Sequence, residues 1–199
     1  MGSGRRTSGR LTLALAVAVG LAPGDLRAET QPQESTATYG DWVLHCTRSG
    51  LAASADADAK ADAAPTTSCE IVQTIVADGG AAPVARLAFG YQTLAADQMM
   101  VTAVLPVNVS LPGRVGVFGT AKTGADAGPG LALSFRRCVP GGCFAQADAE
   151  ASLVAAAKKE KTGALRFIDA QGRTVAITLS WTGFAAALAA LEGQKADKP

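Results

Sequence analysis

Residues 39–46 read YGDWVLHC, and their alternation decides the fold class. Trp42, Leu44 and Cys46 fall on one face while Val43 and His45 fall on the other, the two-residue period of a strand with one buried side. A second run, CEIVQTIVA at 69–77, is rich in β-branched residues and closes on the turn signal Asp78-Gly79-Gly80. Val84–Tyr91 and Met99–Leu105 follow, the latter almost continuously apolar and therefore read as a central strand. Pro106, Pro112 and Gly113 bracket a turn before Val115–Phe118, and a glycine-rich connection at 120–130 leads into LALSFRRC at 131–138. Short β runs separated by Gly and Pro predict an antiparallel β-sandwich.

Two helical patterns interrupt it. Asp148 reads as the cap of a short helix carrying Leu153 and Val154, with Lys158, Lys159 and Lys161 matching the negative end of its dipole and Gly163 as the stop. Leu165–Asp169 and Arg173–Trp181 then pair across Ala170-Gln171-Gly172 as a hairpin. Thr182 caps a last helix whose Phe184, Leu188 and Leu191 share the face that a docked helix buries. Outside this domain, placed at 39–193, residues 29–38 read as a flexible lead-in and 194–199 as a flexible tail. AASADADAKADAA at 52–64 is low in complexity, has no large apolar residue and reads as a surface loop.

Upstream, Arg5, Arg6 and Arg10 precede the uncharged run LTLALAVAVGLA at 11–22. A basic segment followed by an apolar run too short to span a bilayer is the pattern of a secretory signal peptide, here 1–28 with cleavage after Ala28. The mature chain then has no transmembrane segment, and no Cys near the cleavage region for a lipid anchor. The whole chain has 18 basic and 17 acidic residues; removing four arginines and Asp25 with the leader leaves 14 and 16. A near-neutral mature chain argues against nucleic acid and against a polybasic membrane-surface protein.

Four cysteines remain behind the leader, an even number in an oxidising compartment, with three possible connectivities. Pro140-Gly141-Gly142 can fold the chain back and bring Cys138 to Cys143, which leaves Cys46 with Cys69 around the low-complexity stretch. A zinc site is disfavoured, because there is no C-x-x-C and His45 is the one histidine.

The catalytic inventory is thin. His45 is the natural general base, but it points to the face opposite Cys46, and a bridged Cys46 is no nucleophile. No nucleophile elbow, S-x-x-K, H-E-x-x-H or phosphate-cradling loop occurs. Asp41, Glu70, Asp97 and Asp169 are carboxylates without a pairing signal, and Cys138/Cys143 reads as a structural clamp before a redox couple. Tyr39, Trp42, Tyr91 and Trp181 would form a sugar platform only if exposed, and their apolar neighbours make burial the default for both tryptophans.

Several segments together resemble the invasion-associated locus B family. Gly40-Asp41-Trp42 with Cys46 is similar to its Gly-Asp-Trp-x-x-x-Cys opening, and Cys69 with Gln73 to its second cysteine and nearby Gln. Leu105-Pro106 with Leu111-Pro112-Gly113 and Val115 resembles its central stretch; Phe135 with Cys138, Gly142-Cys143 and Ala145 resembles its Phe-x-x-Cys … Gly-Cys-x-Ala segment. Ser180 and Gly183-Phe184 resemble the start of its C-terminal helix, so the likeness spans about Tyr39 to Leu191. The resemblance implies an exported bacterial β-sandwich of immunoglobulin-like type with disulfides. In pathogenic members it implies a part in host-cell entry. It supplies no catalytic residue, cofactor or metal.

The expectation is therefore a non-enzymatic envelope protein that binds a macromolecular partner, in the envelope or on a host cell, through loops or a sheet edge. It would be periplasmic, outer-membrane-associated or secreted. The alternatives are a small-ligand or glycan module using exposed aromatics, and a hydrolase using His45.

Overall fold

The computed structural model describes Gly2 and residues 33–49, 66–76, 83–91, 97–122 and 130–196. The segment read as a signal peptide (apart from Gly2), the segment at 52–64 read as a surface loop, and residues 197–199 lie outside the described residues. Among the described residues, ten strands run in chain order as β1 Gln33–Tyr39, β2 Trp42–Ser49, β3 Thr66–Val76, β4 Pro83–Tyr91, β5 Met99–Leu105, β6 Val115–Phe118, β7 Leu131–Val139, β8 Gly142–Asp148, β9 Thr162–Ile168 and β10 Thr174–Ser180. Helix α1, Ala151–Lys159, joins β8 to β9, and α2, Phe184–Ala196, follows β10.

The expected antiparallel β architecture is borne out as one sheet ordered β1-β2-β3-β4-β5-β8-β7-β6-β9-β10, whose halves are β1–β5 with β8 and β6 with β9 and β10. β7 joins the halves. Its Leu131 and Leu133 pair with β6, whereas Ser134–Val139 pair with β8, and the register shifts between Phe135 and Arg137. A bulge of this kind bends a strand and lets it serve two sheets at a corner. The far ends of the sheet then meet, for the Asp41 N–H donates to the Thr182 carbonyl at 3.0 Å.

Between the halves lies one core. Trp42, Ile71, Leu87, Phe89, Val101 and Leu105 from one half face Val115, Val117, Leu165 and Leu179 from the other, all essentially without exposure. The central position of β5, fifth of the ten, explains its nearly unbroken apolar sequence. On α2, Phe184, Ala187, Leu188 and Leu191 are fully buried, the stripe expected from their spacing. Each such Leu contributes roughly 2 kcal/mol by burial.

Several details differ from the sequence reading, among them the end of α1, which stops at Lys159 with Glu160 as its C-cap while Gly163 lies inside β9. The polar lead-in contributes β1 from Gln33 onward, because the whole segment ladders onto β2, from Gln33 opposite Arg48 to Tyr39 opposite Trp42. An edge strand with an exposed surface needs no apolar residues, so hydrophobic periodicity could not mark it. β8 carries no hydrophobic alternation for a related reason: the residues it buries against β5 are Cys143 and Ala145, too small to give the signal. Asp148 ends β8 instead of capping α1, whose N-cap is Glu150 without a side-chain hydrogen bond. Gln194 and Lys195 continue α2 rather than opening a frayed tail.

Candidate functional site

Gly40, Asp41, Trp42, Gln73, Ser180, Gly183 and Phe184, from three of the segments that carry the family resemblance, converge on one structural clasp. Gly40 occupies the β1–β2 turn at φ 60° and Gly183 the β10–α2 turn at φ 87°, both left-handed. The two turns press together so closely that a Cβ on Gly40 would stand 2.6 Å from the Thr182 carbonyl oxygen, and one on Gly183 1.9 Å from that of Tyr39. Only glycine meets both demands, of dihedral and of space. Beside them the Ser180 hydroxyl donates to Asp41 Oδ2 at 2.5 Å and accepts from the Thr182 N–H at 3.2 Å.

Gln73 completes the clasp from β3. It is 4% exposed, and its side-chain amide imitates a paired strand: Oε1 accepts the Ser180 N–H at 3.1 Å, and Nε2 donates to the Ser180 carbonyl at 2.7 Å. Trp42 Nε1 donates to that same carbonyl at 2.9 Å. The Trp42 ring stacks on Trp181 at 5.7 Å with an 8° tilt and meets Phe184 edge-on at 5.0 Å. Phe89 meets Phe184 edge-on at 5.0 Å, and Trp181 Nε1 donates to the Gly119 carbonyl at 2.8 Å. Both tryptophans are buried, so the sugar platform that needed them exposed loses its main rings.

The cysteines form two cross-strand bridges between residues directly opposite in the ladder. Cys46–Cys69 ties β2 to β3 with Cα atoms 4.1 Å apart, and Cys138–Cys143 ties β7 to β8 at 4.0 Å. Beside the second, a Cβ on Gly142, at φ 138°, would come within 2.7 Å of the Leu105 carbonyl oxygen. This close approach lets β8 start against the end of β5, where Pro106 turns the chain away.

The carboxylates singled out in the sequence do not assemble into a pair. Asp41 belongs to the clasp, while Asp97 sits 3.8 Å from Lys195. Asp169 lies buried in the β9–β10 turn, where its carboxylate accepts the Arg173 and Gln171 N–H groups at 2.9 Å and the guanidinium of Arg173 at 2.7–2.8 Å. The Arg173 N–H, with the other donors, holds its pKa below the usual carboxylate value. Among the described residues, no three His, Cys, Asp or Glu side chains are placed to hold a metal ion. No described helix is long and apolar enough to cross a membrane.

What the structure assembles instead is a hollowed outer face. Strand alternation that turns Trp42, Leu44, Cys46 and Ile71 into the core turns Val43, His45, Glu70 and Val72 outward. Here Asp41, His45, Val72, Thr74 and Arg86 line a hollow of about 420 Å³. His45 stands 4.0 Å from Glu34 across the β1–β2 pair, on the side of the sheet away from the Cys46 bridge. A second hollow, of about 200 Å³, adjoins on the same face between Ser68, Glu70, Tyr91, Met100 and Gln146. Gln146 Nε2 donates to Thr102 Oγ1 at 3.1 Å along its wall, and burial with the nearby Glu192 charge raises the Tyr91 pKa. The floor is apolar: Val72 and Ala88 are 6% and 8% exposed although they point away from the core. The adjacent apolar pair Ile71-Val72 was the available sign, since a strand with one wet face seldom spends two successive large apolar residues.

Comparison with known proteins agrees with this architecture. No curated protein matches the chain. Among solved structures, the crystal structure of invasion associated protein b from Bartonella henselae superposes with a TM-score of 0.61 at 20% identity, covering 82% of this chain and 98% of that one. The family model described as "Invasion associated locus B (IalB) protein" matches residues 42–192, from the clasp tryptophan to the last turns of α2, and the chain therefore belongs to the invasion associated locus B family.

Proposed function

We propose that this is an exported, non-enzymatic envelope protein that binds a macromolecular partner across the outer face of β1–β5 and β8. The observation that carries the reading is the floor of that face, where Val72 and Ala88, directly opposite one another, form an apolar strip between the Thr74–Arg86 pair on one side and the His45–Glu70 pair on the other. Six adjacent strands at about 4.8 Å spacing give a surface some 25 Å wide. That breadth suits a standard macromolecular interface of roughly 800 Å² per partner better than a small ligand. Two disulfides and the secretory leader read from the sequence support export to an oxidising compartment, periplasmic, outer-membrane-associated or released. The Bartonella relative is described as invasion associated, and on that analogy the partner is an envelope component or a host-cell surface protein.

Cross-linking of the tagged protein in living cells, with and without host cells, followed by identification of what co-purifies, tests the reading. One dominant partner is expected, and it should be lost in a Ser68→Tyr, Glu70→Lys variant that fills the second hollow while melting like the wild type. Recovery of that partner at wild-type yield by the variant would move the interface elsewhere. Protein recovered alone under both conditions would count against a macromolecular partner.

A further inference from the structure

The large hydrophobic side chains that stand exposed among the described residues all gather at one end of the fold. Val76 ends β3, Val139 ends β7, and Val107 and Leu111 lie in the connection from β5 to β6. The ladder sets them side by side: Val76 is opposite Pro83 at the start of β4, Arg86 of β4 is opposite Val104, Leu105 is opposite Cys143, and Val139 is opposite Gly142. Crossing four strand spacings of about 4.8 Å, the row from Val76 to Val139 is roughly 20 Å long. Leu111 is anchored beside it, since the Ser110 N–H donates to the Ile168 carbonyl at 2.9 Å and Val109 bridges to Asp169. Pro106, Pro112 and Pro140 restrict the same turns, so these apolar tips are held outward.

Charge is distributed around them unevenly. Arg114, Arg136 and Arg137 are exposed at this end, together with Arg173, which is paired with Asp169. The carboxylates described there are Asp41, bonded to Ser180 in the clasp, and Asp169, bonded to Arg173. Glu34, Asp97, Asp148 and Glu150 lie toward the other end, at the start of β1, before β5, at the end of β8 and just after it. A mature chain that is nearly neutral as a whole thus presents an arginine-ringed apolar rim, which net charge conceals.

We infer that this rim docks on an anionic lipid bilayer, the four apolar side chains entering the interfacial layer and the arginines meeting headgroup phosphates. Separate projections on successive turns would require a protein partner to supply a matching socket for each, whereas a fluid interface accepts them without shape matching. Arginine suits the charged part, because its planar fork bonds phosphate oxygens bidentately. The rim is distinct from the hollowed face and does not depend on the partner proposed for it.

Co-sedimentation of the chain from Glu29 onward, which contains every described strand and helix but no leader, tests the inference. Phosphatidylcholine vesicles with and without phosphatidylglycerol serve as probes. Binding is expected only to the anionic vesicles and should weaken with salt. A Val107→Asp, Leu111→Asp variant, and separately an Arg114→Glu, Arg136→Glu variant, should each bind about tenfold or more weakly. All four positions are exposed, so melting temperatures should stay at the wild-type value, and the Ser68→Tyr, Glu70→Lys variant should bind vesicles normally. Failure to sediment with anionic vesicles, wild-type binding by either rim variant, or capture of an acidic protein by the rim in place of lipid would overturn the inference.

Discussion

Replacing Gln73 by Glu exchanges a single side-chain N–H₂ for oxygen at the point where the two ends of the sheet are fastened. In the wild type that nitrogen donates to the Ser180 carbonyl at 2.7 Å, and Oε1 receives the Ser180 N–H at 3.1 Å. In the Gln73→Glu variant an ionised side chain would keep the second bond but set a carboxylate oxygen against a carbonyl, at a position 4% exposed. A protonated carboxyl group restores both bonds, because its O–H donates where the amide did. The native state therefore favours the neutral acid, and the folded pKa rises above the unfolded value of about 4.3. Holding that proton at pH 7 costs at most about 1.4 kcal/mol for each of about 2.7 pH units, or about 3.7 kcal/mol, which caps the destabilisation relative to the protonated form. Stability is fully present below about pH 4.3 and is lost as pH rises toward the folded pKa. Thermal melts of the Gln73→Glu variant, each referenced to the wild type at the same pH, should show a deficit of about 2–4 kcal/mol at pH 7, roughly 5–15 °C for a domain of this size. The deficit should shrink to under about 1 kcal/mol near pH 4.5. Gln73→Leu, which strands the Ser180 N–H, should lose about 2–4 kcal/mol at every pH. A Glu variant that tracks the Leu variant across pH, or that matches the wild type at pH 7, would refute the strand-mimic role of Gln73.

Cys46→Ser should lower the melting temperature more than Cys143→Ser, because closing a separation of 23 residues restricts the unfolded chain by about 3.4 kcal/mol and closing 5 by about 2 kcal/mol; the reverse order in non-reducing melts would refute the entropic account. Gly183→Ala brings a Cβ to 1.9 Å from a backbone oxygen at φ 87° and should cost more than about 3 kcal/mol, whereas Gly172→Ala, at φ 79° with nothing within 4 Å, should cost only about 1 kcal/mol. Equal urea midpoints for the two would mean that the clasp gives way freely. Asp169 has a lowered folded pKa, caused first by the Arg173 N–H, so its contribution is present above the unfolded value of about 3.9 and lost as pH falls through the folded one. Asp169→Asn should therefore be less stable than the wild type at neutral pH and converge with it on acidification; melts with a constant gap from pH 7 to pH 3 would contradict this.

The sequence announced those elements whose residues do hydrophobic work. β5 and β6 are found within the limits their apolar runs indicate, and the Phe184, Leu188, Leu191 stripe faces the core. Elements that form because a neighbour offers backbone partners left little trace. β1 is a polar edge strand specified by its ladder to β2, and β8 packs small side chains in a crowded centre. The bulge in β7 that joins the two halves falls among exposed residues, where no periodicity could register it. For the site the position is similar. Trp42, Gln73 and Gly183 could be singled out one by one along the sequence, but that they fasten a single junction is a fact of topology. The outer hollows and the cationic rim are made of ordinary Val, Ala and Arg residues on different strands, and only the register assembles them.

Apart from Leu111 on the rim, the segments that carry the family resemblance are spent largely on the scaffold. Gly40 and Gly183 permit two turns to touch, Gln73 terminates a strand edge, Trp42 and Phe184 fill the space between the sheet halves, and the four cysteines staple adjacent strands. Each of these groups is buried, bonded or backbone-constrained in a way that leaves it little freedom to recognise anything else. Two members at 20% identity can then share one fold while presenting different surfaces, since neither Val72 and Ala88 on the hollowed face nor Val107 and Leu111 on the rim takes part in the clasp. On the partner-binding reading proposed above, binding specificity within the family should vary with the outer-face and rim residues. Transplanting Val43, Glu70, Thr74 and Arg86 between members should carry partner choice with it, while transplanting clasp residues should change stability alone.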